Sequence, residues 1–60
     1  MMKQQKTALN MATFIQDQSL LLLEKLNELD LDGEADMCER LHEDAERIHR
    51  SLMATLTQEQ

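Results

Sequence analysis

Residues 8–29 read ALNMATFIQDQSLLLLEKLNEL, and one row of small and apolar positions within them decides the fold. Ala8, Ala12, Ile15, Ser19, Leu22, Leu26 and Leu29 advance in alternating steps of four and three. A second row, Cys38, Leu41, Ala45, Ile48, Leu52 and Thr55, keeps the same step. This spacing is the heptad seam of helices that pack at a shallow angle. Only Asp30-Leu31-Asp32-Gly33 separates the rows. So short a connection makes the two helices antiparallel neighbours.

A lone two-helix hairpin offers each seam a single partner and cannot wrap it. The pattern therefore predicts an all-α helical hairpin that dimerises into an antiparallel four-helix bundle, the two-fold arrangement by which small homo-oligomers commonly close. In each row small residues (Ala12, Ser19, Ala45) alternate with large ones (Ile15, Leu22, Leu41, Ile48), which lets core layers interdigitate. Residues 1–60 form one domain: a first helix over about 3–29, a turn at 30–33, a second helix over about 33–56 and a flexible tail at 57–60. Asp30 suits the left-handed conformation that ends a helix. Asp32 is the expected N-cap, with Glu34 and Asp36 placed at the positive end of the helix dipole.

Composition agrees. Sixty residues with no proline, no tryptophan or tyrosine, one glycine and one phenylalanine are those of a helical chain. A domain this small buries only about 60% of its unfolded surface, so it needs a staple, and oligomerisation is the one on offer. The single Cys38 cannot form an internal disulfide and is expected as a buried, reduced thiol, in keeping with a cytoplasmic protein. The longest apolar run, Leu20 to Leu23, is far short of the ~20 residues of a membrane span, and no signal peptide is apparent at the N-terminus. No membrane partner is expected.

Charge is uneven. Residues 1–29 carry Lys3, Lys6 and Lys25 against Asp17, Glu24 and Glu28, whereas residues 30–60 carry nine acids against Arg40, Arg47 and Arg50, which accounts for the whole net charge of −6. A polyanion would have to meet the first helix. With Ala12 set at heptad position a, a second stripe runs along that helix at c and g: Gln4, Thr7, Met11, Phe14, Gln18, Leu21 and Lys25, with Lys3 and Asn10 beside it. Composition alone favours a Phe14 half-packed against its own helix or the neighbour; flanked by the amides of Asn10 and Gln18, with lysines at both ends, an exposed Phe14 also allows nucleic-acid binding. Amides and ammonium groups meet phosphate and sugar oxygens, and a ring offers a face to bases.

Other chemistries find less support. Glu39-x-x-His42 and Glu46-x-x-His49 have the spacing of helical di-iron ligands, but the glutamates fall at b and the histidines at e. Both histidines are expected on a solvated flank, and no metal or other cofactor is expected. With no glycine-rich loop and no carboxylate pair on a seam, an enzyme acting on a small-molecule substrate is not expected either. The alternative to RNA binding is a helical homodimer acting through protein–protein contacts, docking by Met11, Phe14 and Leu21.

Lys6 to Ala12, Leu22 to Asp30, Cys38, Leu41-His42 and the run from Ala45 onward resemble the Rop (Rom) family of plasmid copy-number regulators, ungapped from Met1 to about Leu56. The resemblance implies a homodimeric antiparallel four-helix bundle. It implies a protein that binds and stabilises the loop–loop complex of an antisense RNA with the replication primer precursor, a pair of RNA stem-loops, and so lowers plasmid copy number. The positions matching the family's RNA contacts are Lys3, Asn10, Phe14, Gln18 and Lys25. The chain departs from the family at Thr13 and Gln16, where relatives carry arginines, at Leu21, where a small polar residue is usual, and at Gly33 in the turn. Without those arginines the protein is expected to meet fewer phosphates and to show a flatter salt dependence, by about 0.7–0.9 for each phosphate left unmet.

Overall fold

A computed structural model describes residues 2–58 as two helices, α1 (Lys3–Glu28) and α2 (Asp32–Gln58), folded back on each other as a hairpin 46 Å long. α1 opens where the Met2 backbone leaves the helix and its amide donates to Gln5 Oε1 at 2.9 Å. No proline interrupts either helix. Thr7, Thr13 and Thr57 fold back on their own helices, as Thr13 Oγ1 does to the Leu9 carbonyl at 3.0 Å.

The turn is set by Asp30, whose φ of 58° is the left-handed value expected of it. Its amide donates to the Asn27 carbonyl (3.1 Å) and the Leu31 amide to the Leu26 carbonyl (3.0 Å). These two bonds make a Schellman ending, which occupies carbonyls that the last turn of α1 would otherwise leave unpaired. The expected boundaries shift by one or two residues. Ala35 donates to the Leu31 carbonyl at 2.8 Å, so α2 opens before Gly33, and Asp32 stands as its first helical residue instead of its N-cap. There Asp32, with Glu34, meets the positive end of the dipole. At the other end Thr57 and Gln58 are helical, with Thr57 Oγ1 donating to the Met53 carbonyl at 2.6 Å. Glu59 and Gln60 of the expected tail lie outside the described residues.

The contact between the helices is narrower than the heptad implies. Ala12, Ser19, Ala35, Cys38, Ala45 and Leu56 are buried, and nearly all are small. Gln5, Leu9, Gln16, Leu23 and Leu26 on α1, with His42, Glu46, His49 and Leu52 on α2, are half-buried around them. In heptad terms the helices touch through positions a and e. The d row, placed on the expected seam, is left open: Ile15 and Leu41 are each 50% exposed, and Leu22, Leu29 and Ile48 are exposed with them. Small residues at a let the backbones approach closely, so the wide side chains at d are turned out of the pair. Among the described residues no large side chain is fully buried.

The centre of this contact is polar. Ser19 Oγ donates to the Gln16 carbonyl (2.9 Å), a bond that uses its only hydrogen. The same oxygen lies 2.8 Å from His42 Nδ1 and accepts from the Nδ1–H tautomer, an assignment made from the bonding pattern. Cys38 Sγ donates to the Ser19 carbonyl at 3.4 Å. Cys38 is the buried free thiol expected. His42 corrects the expected solvated flank: its side chain is 15% exposed, with Glu46 Oε1 3.8 Å from Nε2. His49 is half-buried as well. Position e is the hairpin's own contact row, and that is why both rings are drawn in.

Candidate nucleic-acid interface

Each residue of α1 turns about 100° from the last and rises about 1.5 Å. On that phase Lys3, Asn10, Gln18 and Lys25 all lie within about 40° of Phe14, on the side of α1 away from α2. All five side chains are exposed, Phe14 at 62%. The strip from Lys3 to Lys25 is about 33 Å long. It is a face of one continuous helix, so its spacing is as rigid as the helix itself.

Thr7 and Leu21 complete the line between these residues, and Met11 lies at its edge. An open groove of about 300 Å³ runs against Thr7, Asn10, Met11, Phe14 and Ile15. It is the place where the strip meets the d row. The d row lies about a quarter-turn from Phe14, so whatever covers Ile15 and Leu22 borders the strip on that side. The g residues Met11 and Gln18 stand between the two.

Charge on the strip is sparse. Lys25 Nζ pairs with Glu28 Oε2 at 3.0 Å, and both side chains are 65% exposed, so the pair is a solvated one of little strength. Glu28 lies about 40° from Phe14 and thus brings an acid to the same face. Of Thr13 and Gln16, the expected departures from the family, Gln16 is half-buried on the row facing α2, off the strip, and Thr13 is about 100° from Phe14. Neither occupies the strip itself. The weaker hold on phosphates expected from these two replacements therefore concerns its rim at most.

α2 presents a different surface. Asp36, Glu39, Arg40 and Glu43 line a shallow polar depression, and Arg47 pairs with Asp44 at 3.3 Å. Among the described residues no group of three or more His, Cys, Asp or Glu could hold a metal ion. No helix over those residues is long and apolar enough to cross a membrane.

The strip was visible as a periodicity, but sequence reasoning missed the Ser19–His42 bond that holds α1 to α2 beneath it. The signal was available: Ser19 on one a row meets histidines at e on the other near mid-helix, and a hydroxyl and an imidazole can bond each other. A family model described as Rop protein matches residues 1–57 of this chain. The chain is also similar to the regulatory protein rop of Escherichia coli, 63% identical over 54 residues that cover 90% of this chain and 86% of the relative. Matched over nearly its whole length, with more than half of the aligned residues shared, the chain belongs to the Rop family of regulatory proteins.

Proposed function

We propose that two hairpins pair through their d rows into a two-fold antiparallel four-helix bundle, and that the paired α1 strips bind an RNA loop–loop complex. The complex is that of an antisense RNA with the replication primer precursor. Holding it together favours inhibition of priming and lowers plasmid copy number. Support comes from family membership, from the open d row and from the charge division between the helices.

One observation carries the RNA face. The strip is symmetric about Phe14: Asn10 and Gln18 each lie four residues from it, and Lys3 and Lys25 each lie eleven. Two such strips side by side and antiparallel about a dyad at Phe14 align amide with amide and lysine with lysine. The result is one surface with a central pair of rings, amides around them and two cations at each end. In this assignment Lys3 and Lys25 neutralise phosphates. Asn10 and Gln18 bond ribose or phosphate oxygens, and the Phe14 rings fit the distorted junction between the loops. Helix-borne side chains suit the wide, shallow minor groove of an RNA helix, which is read by shape and hydroxyls.

The test is a gel-shift titration of a loop–loop RNA complex, and of its separate stem-loops, with wild type and Phe14→Ala. Circular dichroism and sedimentation establish that both are folded dimers. The expected result is selective binding of the paired loops that the folded mutant loses. Lys25→Ala should flatten the salt slope by roughly 1.4–1.8 for the two copies. Absence of selective binding at low salt refutes the proposal and turns attention to a protein partner, whose contact with Met11, Phe14 and Leu21 would be nearly indifferent to salt.

A further inference from the structure

We infer that Leu21 is a further RNA-contacting residue of the α1 strip, giving apolar contact to the sugars and base edges of the bound loop–loop helix; this rests on the RNA reading above. The argument starts from position. Leu21 follows Gln18 by three residues and precedes Lys25 by four, and it lies two turns beyond Phe14 at nearly the same angle around the helix. Side chains three and four apart on a helix are direct neighbours, with Cβ atoms about 5–6 Å from each other. A ligand that reaches from Phe14 through Gln18 to Lys25 passes over Leu21.

Leu21 is also free for that role. It is 55% exposed. It stands about 100° from Leu22 on the d row and nearly opposite the residues that meet α2, so neither the hairpin contact nor the d row employs it. A leucine has no hydrogen bond to offer. What it can do under a ligand is exclude water from carbon surface, and the shallow minor groove of an RNA helix presents such surface between its hydroxyls.

Charge gives the second line of argument for an RNA occupant and for what Leu21 adds. α1 is the helix without excess acid, and its strip ends in Lys3 and Lys25, whereas the acids concentrate after residue 29. Yet the strip has only two lysines per chain, and Glu28 brings an acid beside one of them, so cations alone give it a small electrostatic grip. Affinity on such a face depends on contacts that salt does not screen, and Leu21 beside Phe14 provides one. In the two-fold pair its two copies sit about 10 Å on either side of the Phe14 dyad.

The experiment measures loop–loop RNA binding across a range of salt for wild type, Leu21→Thr, Leu21→Met, Phe14→Ala and Lys25→Ala, each checked as a folded dimer by circular dichroism and sedimentation. Leu21→Thr should weaken binding about tenfold at every salt concentration, because both copies give up apolar burial, with the log–log salt slope unchanged. Leu21→Met should bind like wild type, because it keeps the apolar volume. Wild-type affinity in Leu21→Thr, alongside loss of binding in Phe14→Ala, overturns this inference and leaves the RNA reading standing. A changed slope in Leu21→Thr, or an equal loss in Leu21→Met, also overturns it. Failure of wild type to bind RNA at low salt removes both together.

Discussion

Leu41→Ala on α2 tests whether the open d row is an interface. In the hairpin Leu41 is 50% exposed, so about half of the ~1.5–3 kcal/mol from burying a leucine is still to be gained, roughly 0.8–1.5 kcal/mol per chain. If a second hairpin covers the row, the truncation leaves a cavity walled on all sides and costs about 2–5 kcal/mol at each of two sites, or roughly 4–10 kcal/mol per dimer. In an isolated hairpin the same change opens onto water, leaves no closed cavity and costs about 1 kcal/mol, partly offset by the better helix propensity of alanine. The assay is urea unfolding followed by helical ellipticity at two concentrations a hundredfold apart, with sedimentation equilibrium alongside. For a coupled dimer, hundredfold dilution lowers the apparent stability of the wild type by about 2.7 kcal/mol, and Leu41→Ala should be largely unfolded at the lower concentration. A midpoint independent of concentration, with a loss of about 1 kcal/mol or less, would refute the reasoning. The hairpin would then be the folded unit.

Three further outcomes are expected. Asp30→Gly should raise stability by about 0.5–1 kcal/mol per chain in the same unfolding assay, since φ is already 58° and glycine removes the Cβ penalty at some cost in chain entropy. A double-mutant cycle of Ser19→Ala with His42→Ala should give a coupling of about 1 kcal/mol per chain, the size of one shared hydrogen bond, whereas strict additivity would show the 2.8 Å contact to be idle. Glu28→Gln should tighten RNA binding by roughly two- to fivefold and steepen its salt slope, because it removes the acid that competes with phosphate for Lys25; unchanged binding would place Lys25 outside the contact.

Both helices and the left-handed Asp30 were legible in the sequence because each depends on local rules: propensity, spacing and turn chemistry act within a few residues. The choice between a/d and a/e packing was not. Leu9, Gln16 and Leu23 repeat with the same seven-residue period as Ile15 and Leu22, so periodicity alone does not rank the rows. Hydrophobicity ranks them wrongly, because the hairpin's own contact is the more polar one. Small residues at a bring the backbones close and leave the bulky d residues facing outward. His42 was misread for the same reason: a ring beside Ser19 is judged by its hydrogen-bond partner, and that partner lies 23 positions away in the chain. On the strip, helical phase alone groups Phe14 with Lys3, Asn10, Gln18 and Lys25. That these positions meet RNA is what the family resemblance implies, since an exposed lysine looks the same whether or not it meets a phosphate.

The small-residue contact between α1 and α2 has a consequence for dosage. A hairpin whose core is made mostly of alanine, serine and cysteine, with the leucines and isoleucines of its d row half exposed, has much of its apolar burial still to gain. In the proposed bundle folding and pairing become one event. At low chain concentration the amount of competent protein then rises with the square of the amount synthesised. Halving synthesis in that regime would cut the working regulator to about a quarter. A brake built this way engages sharply as its gene becomes abundant and releases sharply as the gene becomes scarce.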